Sequence, residues 1–329
     1  MTRALQRESF RAMGTICGVV ATAGSRDVLL ARRALGAAQA EVTACERVLS
    51  RFDACSDLSR LNRAAGEWVA VDTRLIEALA AALRGRTDTY GLFDPTILPA
   101  LAAVGYDRSF ELVTERAAVR LDGWHAGARI DVDMGSGRAR VEQGAAVDLG
   151  GIGKGFAATR ALLAMRTAWP ALPGGLVDLG GDIAVWGDPP EGGPWRVDIA
   201  DPRGHERVPG TLELTSGGVA TSGRDTRRFG PRRRLHHLID PATGEPAAAG
   251  PLSVTVMAAS ATEAEVYATA LAIAEVDDAR DLLASRPDLA ALLIPQFGEP
   301  VAIGRLLLVR DRPRQRLVVN TQVGRFPWH

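Results

Sequence analysis

A five-residue string occurs twice in this chain, once as Val147-Asp148-Leu149-Gly150-Gly151 and again as Val177-Asp178-Leu179-Gly180-Gly181. Each copy reads as a strand ending in an acid, a leucine and two glycines. Paired glycines remove the Cβ barrier, so main-chain amides can come within reach of an anionic or planar ligand. After the first copy, Gly153-Lys154-Gly155-Phe156-Ala157 opens a helix predicted over 154–167 and stopped before Pro170. A helix N-terminus offers unpaired N–H groups and a positive dipole end to phosphate. Lys154, in that first turn, is the only lysine of the chain. The plain structural account of the same residues is a tight strand-to-helix turn with a solvated lysine.

Two better-known glycine patterns compete for this segment. Gly153 to Ala158 satisfies GxGxxA with Asp178 downstream, as in nicotinamide-dependent oxidoreductases, although no βαβ series precedes it. A phosphate-binding Walker loop is excluded, because Asp148 takes the place of its first glycine and Gly155 that of its Ser/Thr.

The rest of the chain alternates in blocks. A strand is predicted over 9–22 with a break at Gly14-Thr15, then helices over 26–51, with Ser25 as N-cap, and near 73–84. Short strands are expected within 109–142. Strands follow at 175–187, 194–200, 207–214, 218–222, 235–239 and 251–257, then helices at 262–274 and 277–285 and strands near 290–295 and 304–309. Clustered rather than alternating elements indicate an α+β fold. Apolar residues make up 47% and charged ones 24%, enough for a sizeable core. The 39 basic and 39 acidic side chains cancel, which disfavours a general nucleic-acid binder. No uncharged apolar run is long enough to span a membrane. No apolar segment follows the basic N-terminal residues, so the chain as written is expected in the cytoplasm, or exported or membrane-associated if a leader precedes Met1. Cys17, Cys45 and Cys55 form no CxxC pair and are expected as buried small hydrophobes.

Three further segments carry candidate chemistry. In His236-His237-Leu238-Ile239-Asp240-Pro241-Ala242-Thr243-Gly244, proline holds Asp240 extended, and adjacent histidines on a strand face opposite ways, so one at most serves a given site. Ala220-Thr221-Ser222-Gly223-Arg224-Asp225 reads as a polar turn suited to ribose or phosphate, followed by an arginine-rich stretch to Arg234 expected as a solvated loop. On the helix from Thr262, Glu265 and Thr269 are four apart and share a face, where a carboxylate and a hydroxyl can hold one hard cation. Thr262 and Glu265 also have capping-box spacing, a purely structural account of the same acid.

Taken in order, several strings resemble the FAD:protein FMN transferase family, known as ApbE. They are Met13-Gly14-Thr15; Leu49-Ser50-Arg51-Phe52 with Leu61-Asn62; Phe93-Asp94-Pro95-Thr96; Asp148 to Gly155; Gly180-Gly181-Asp182; Ala220 to Gly223; His237 to Gly244; and Ala264-Glu265 to Thr269. The resemblance implies a T-shaped α+β fold with mixed or antiparallel sheets and packed helices, as a single large domain over 1–329, helix-rich to 145 and strand-rich beyond. It implies a Mg²⁺-dependent transferase that cleaves FAD, attaches FMN by a phosphoester to a Thr or Ser of an acceptor flavoprotein and releases AMP. Relatives that only hydrolyse FAD, or a scaffold that only binds it, are the alternatives. It further implies flavin and nucleotide contacts at Met13, Phe52, Leu92, Phe93, Asp94, Asp148, Lys154 and Ile239. Metal ligands are implied at Gly151, Glu265 and Thr269 with Ala268 adjacent, and a catalytic base at His237. The chain departs from the family pattern in carrying Glu265 where Asp is usual, Phe52 for a frequent tyrosine, and Thr159 for a frequent Asp.

Overall fold

The computed structural model describes residues 2–64, 66–108, 110–113, 121, 123–204, 209–224, 228–230, 235–306 and 308–309. Its centre is an eight-stranded antiparallel sheet whose strands lie side by side in chain order: β1 (Arg3–Ala12), β2 (Thr15–Gly24), β3 (Gly174–Leu179), β4 (Ile183–Gly187), β5 (Ser216–Gly223), β6 (Ser253–Ala258), β7 (Ala290–Ile294) and β8 (Val301–Ile303). Every strand pairing among the described residues is antiparallel, which narrows the expectation of mixed or antiparallel sheets and removes the parallel βαβ setting that the GxGxxA reading requires. The predicted break at Gly14-Thr15 is a hairpin turn, with Met13 at φ 51 and Gly14 at φ 70.

Helices α1 (Val28–Leu49), α2 (Asp57–Arg63), α3 (Thr73–Asp88), α4 (Leu98–Ala103), α5 (Gly153–Ala168), α6 (Ala261–Leu271) and α7 (Val276–Ala284) complete the main elements. The helix predicted from Ser25 starts later, after Asp27, and no side chain caps it. One large core joins α1, α3, α5 and α6 to one face of the sheet, drawing on residues from Ala12 to Leu293. A second core, around Trp195, Val197, Leu212 and Ile294, fills the space between the sheet and a three-stranded layer of Trp195–Ile199, Gly210–Leu214 and Leu308–Val309. A third, smaller cluster gathers Leu101, Tyr106, Phe229 and Ile239.

Within 109–142 the described strands are Ile130–Asp133 and Arg138–Val141, while Phe110–Leu112 is a 3₁₀ turn; 114–120 lie outside the described residues. Cys17 and Cys45 are buried, and burial pushes their thiols up to about 11 and about 12. Cys55 is exposed, against expectation, because it sits in the short loop before α2. No described helix is long and apolar enough to cross a membrane.

Candidate active site

The two diglycine strings take different local structures. The second is a hairpin turn between β3 and β4, with Gly180 and Gly181 at φ 71 and 99, and the Asp178 carboxylate accepts the Gly181 N–H at 2.8 Å. Burial holds the Asp178 carboxyl up at about 6, opposed by those amides and by nearby Lys154. The first copy is not the end of a strand. Residues 145–149 run as irregular chain, pinned where the Asn62 side chain donates to the Val147 carbonyl at 2.9 Å and accepts its N–H at 2.8 Å. There too the aspartate closes a short turn, Asp148 Oδ1 accepting the Gly150 N–H at 2.8 Å.

That loop delivers the chain into α5, whose N-cap position, Ile152, has no side chain able to cap it. The cap comes from another helix. Glu265 of α6, 3% exposed, accepts the Gly155 N–H on Oε2 at 2.7 Å, and its Oε1 lies 3.3 Å from Lys154 Nζ. The capping-box account of Glu265 is therefore wrong. Ser260 is the N-cap of α6 and accepts the Glu263 N–H at 3.2 Å, while Thr262 meets the Thr159 hydroxyl at 3.1 Å. One α5 amide expected to face a ligand is consequently occupied by protein.

Close approach here depends on glycine. A Cβ on Gly155 would run into the backbone carbonyl of Ala261, and one on Gly218 into the backbone at Ser260 and Ala261, so α6 begins in direct backbone contact with α5 on one side and β5 on the other. A Cβ on Gly151 would sit 3.0 Å from the Thr269 side chain and 3.2 Å from the Phe93 ring.

Around this seam the sequence-derived residues assemble into two neighbouring groups. In the first, Lys154 forms an ion pair with Asp182, whose side chain is 2% exposed, and the looser contact with Glu265. Thr269 Oγ1 lies 3.3 Å from the Gly151 carbonyl and 3.4 Å from Ser222 Oγ, and the Met13 methyl lies over Gly153. In the second, Arg51 and Asp148 pair at 2.6 Å, almost wholly buried, with the Arg51 guanidinium 4.2 Å from the Phe52 ring centre and 4.8 Å from that of Tyr106. Tyr106 in turn meets the His237 ring edge-on at 6.5 Å, and Phe52 remains 45% exposed. The groups join through Asp148, whose backbone N–H also donates to the Pro95 carbonyl at 2.8 Å.

Other expected residues make contacts inside the protein. Both Asp94 oxygens are used inside the protein, Oδ1 by Thr96 at 2.7 Å and Oδ2 by the Gly127 N–H at 2.6 Å, so this acid shapes its loop. Ala268 is buried in the core, Ile239 lies in the small cluster under Tyr106, and Leu92 is partly buried against the main core. Thr221 and Ser222 lie on strand β5, not in a turn; 225–227 and 231–234 of the arginine run lie outside the described residues. The adjacent histidines do diverge: His236 is buried, donates from Nε2 to the Ala247 carbonyl at 3.1 Å and is held below its usual pKa by desolvation, leaving His237 toward Tyr106. Arg51, Asn62, Tyr106 and Asp182 had no role assigned from sequence, and Ser222, expected in a ribose or phosphate turn, lies beside the Thr269 hydroxyl instead. Most stood inside the matching strings, but only the fold pairs Arg51 with Asp148 or Asp182 with Lys154.

Residues 13–293 match the ApbE family. The chain is 33% identical over 267 residues to the FAD:protein FMN transferase of Treponema pallidum (strain Nichols), covering 76% of this chain and 73% of the relative. Its identity to the enzyme of that name from Klebsiella pneumoniae (strain 342) is 30% over 271 residues, covering 79% and 76%. The crystal structure of the ApbE protein from Thermotoga maritima superposes with a TM-score of 0.81 at 30% identity, over 91% of this chain and 97% of that one. The flavin transferase ApbE from Vibrio cholerae shares the fold, with a TM-score of 0.75 at 23% identity over 92% and 97%. With diglycine loop, capping acid and threonine brought to one seam in a fold shared along nearly its whole length, the chain belongs to the ApbE family.

Proposed function

We propose that this protein transfers FMN from FAD to a threonine or serine hydroxyl of an acceptor flavoprotein. The hydroxyl oxygen bonds to the FMN phosphorus, the bond from that phosphorus to the oxygen bridging to AMP breaks, the hydroxyl proton passes to a base, and AMP leaves. The observation that carries this reading is the seam at the start of α5. Lys154, Gly151, Thr269 and Glu265 meet there, and the Arg51–Asp148 pair links it to an exposed aromatic and a histidine. Phosphoryl transfer asks mainly for positioning and charge neutralisation, which such a seam supplies.

The chain's own residues divide the work. Phe52, exposed and backed by Arg51, offers a face for flavin stacking without the hydroxyl of a tyrosine. Lys154 brings a cation to the diphosphate, and Met13 closes over Gly153. His237, oriented by the Tyr106 ring, takes the acceptor's proton. The Gly151 carbonyl, the Thr269 hydroxyl and the Glu265 carboxylate are hard oxygen donors of the kind Mg²⁺ prefers, two of them already 3.3 Å apart, so the donor set fits that ion. When bound, Mg²⁺ neutralises charge on the diphosphate oxygens.

The test incubates purified protein with FAD, Mg²⁺ and an acceptor bearing the modifiable threonine. Covalent flavin fluorescence on the acceptor with stoichiometric AMP is expected. AMP and free FMN without labelled acceptor would make the protein a FAD pyrophosphatase, and no AMP at all would overturn the reading.

A further inference from the structure

The seam holds more buried carboxylates than cations. Lys154 faces Asp182 and Glu265, whose side chains are 2% and 4% exposed. One ammonium between two buried carboxylates leaves a negative charge uncompensated, and removing the ammonium from either strands a buried anion, which is strongly unfavourable.

The two acids are not equivalent. Glu265 is oriented by the Gly155 N–H on Oε2, so only Oε1 is turned toward Lys154, on the helix face that also carries Thr269. Asp182 stands opposite, just after the Gly180-Gly181 turn, and among the described residues no cation other than Lys154 pairs with it. Lys154 can therefore leave Glu265 without leaving carboxylate contact.

We propose that Asp182 is a positioning residue that takes sole charge of Lys154 when a divalent cation reaches Glu265 Oε1, so that Glu265 exchanges an ammonium for the ion with no buried charge left bare. The inference rests on the flavin-transfer reading, in which Glu265 meets Mg²⁺. Without the Asp182 carboxylate, Lys154 has Glu265 as its one partner here and the ion must displace it. Supporting groups of this kind change metal affinity by about 10–100-fold.

Because Lys154 is the only lysine, ¹³C-lysine incorporated into the full chain gives a single side-chain NMR signal. Titration with Mg²⁺ alone should move that signal saturably. In Asp182→Asn the midpoint should rise about 10–100-fold, and Asp182→Glu should bring it most of the way back. An Asp182→Asn protein that titrates like the wild type overturns the proposal. Should that variant not fold, Glu265→Gln decides. It keeps an acceptor for the Gly155 N–H, and its lysine signal should start where Mg²⁺ takes the wild-type signal; a start at the Mg²⁺-free wild-type position overturns the idea. Wild-type protein that transfers FMN while its lysine signal stays fixed under the same Mg²⁺ refutes the role of Asp182 alone. Failure of FMN transfer itself refutes the functional reading beneath it.

Discussion

Glu265 caps a helix to which it does not belong, its Oε2 accepting the Gly155 N–H of α5 at 2.7 Å from a position within α6. The contact satisfies one of the first-turn donors and sets a negative charge at a positive dipole end. Fold and function can be separated here. Glu265→Ala leaves the Gly155 N–H buried without an acceptor and should lower stability by about 1–3 kcal/mol in urea unfolding. Glu265→Gln retains an acceptor and should stay within about 1 kcal/mol of the wild type, while the Mg²⁺ concentration for half-maximal AMP release rises about tenfold or more. Unchanged Mg²⁺ dependence in both variants would show that Glu265 is a cap and nothing else.

Glycine replacements should split in the same way. Gly155→Ala forces a methyl group into the Ala261 carbonyl and should destabilise by about 1–3 kcal/mol, because neither helix backbone can yield. Gly151→Ala presses on the Thr269 and Phe93 side chains, which can turn aside. Its thermal midpoint should fall less than that of Gly155→Ala, and its FMN transfer should fall more. Calorimetry and an AMP assay on both proteins decide the order.

The Arg51–Asp148 pair is buried, at 7% and 10% side-chain exposure, so cutting one partner strands the other. Arg51→Met should cost about 3–5 kcal/mol and weaken FAD binding, since Phe52 loses the guanidinium behind its ring. Arg51→Met combined with Asp148→Asn should be less damaging than the two single losses added together. Additive losses in denaturant unfolding would mean that the pair is not coupled.

His237→Ala should slow transfer by about 10²–10⁴-fold and leave FAD affinity, read from flavin fluorescence quenching, nearly unchanged. Loss of binding instead would give the ring a structural part against Tyr106.

Asp178 supplies a pH signature. Its carboxyl titrates near 6 in the fold, against an ordinary 3.8, because burial disfavours the anion. The folded state thus holds this proton more tightly than the unfolded chain, so the group destabilises progressively as pH rises from about 4 to about 6. Two units correspond to about 3 kcal/mol. Asp178→Asn keeps an acceptor for the Gly181 N–H and should match the wild type near pH 4 but exceed it above pH 6. A constant difference across that range would contradict the burial argument.

The sequence was most legible where local chemistry decides. The break at Gly14, the helix ended by Pro170 and the diverging histidines all follow from single-residue backbone rules, and each appears in the fold. It misled where a partner distant in sequence wins. Val147 reads as a strand residue, yet Asn62 occupies the backbone groups a neighbouring strand would have used. Glu265 has capping-box spacing with Thr262, but its acceptor goes to Gly155, 110 residues away. Asp94 looks like a ligand acid, and its oxygens are spent on Thr96 and Gly127. No spacing rule encodes such pairings, so the matching strings marked the neighbourhood of the site while the division of labour within it came from tertiary contacts.

Because α6 rests backbone-to-backbone on Gly155 and on Gly218, its start has no room to move closer to either α5 or β5. Side-chain length at position 265 then sets how far the α6 carboxylate reaches toward whatever binds in front of it. A glutamate there reaches one methylene farther than the aspartate usual in the family, and a rigid mount passes the whole of that difference on to the carboxylate. Swapping the acid alone would move the anionic tip without moving its scaffold, which makes residue 265 a vernier on an otherwise fixed frame.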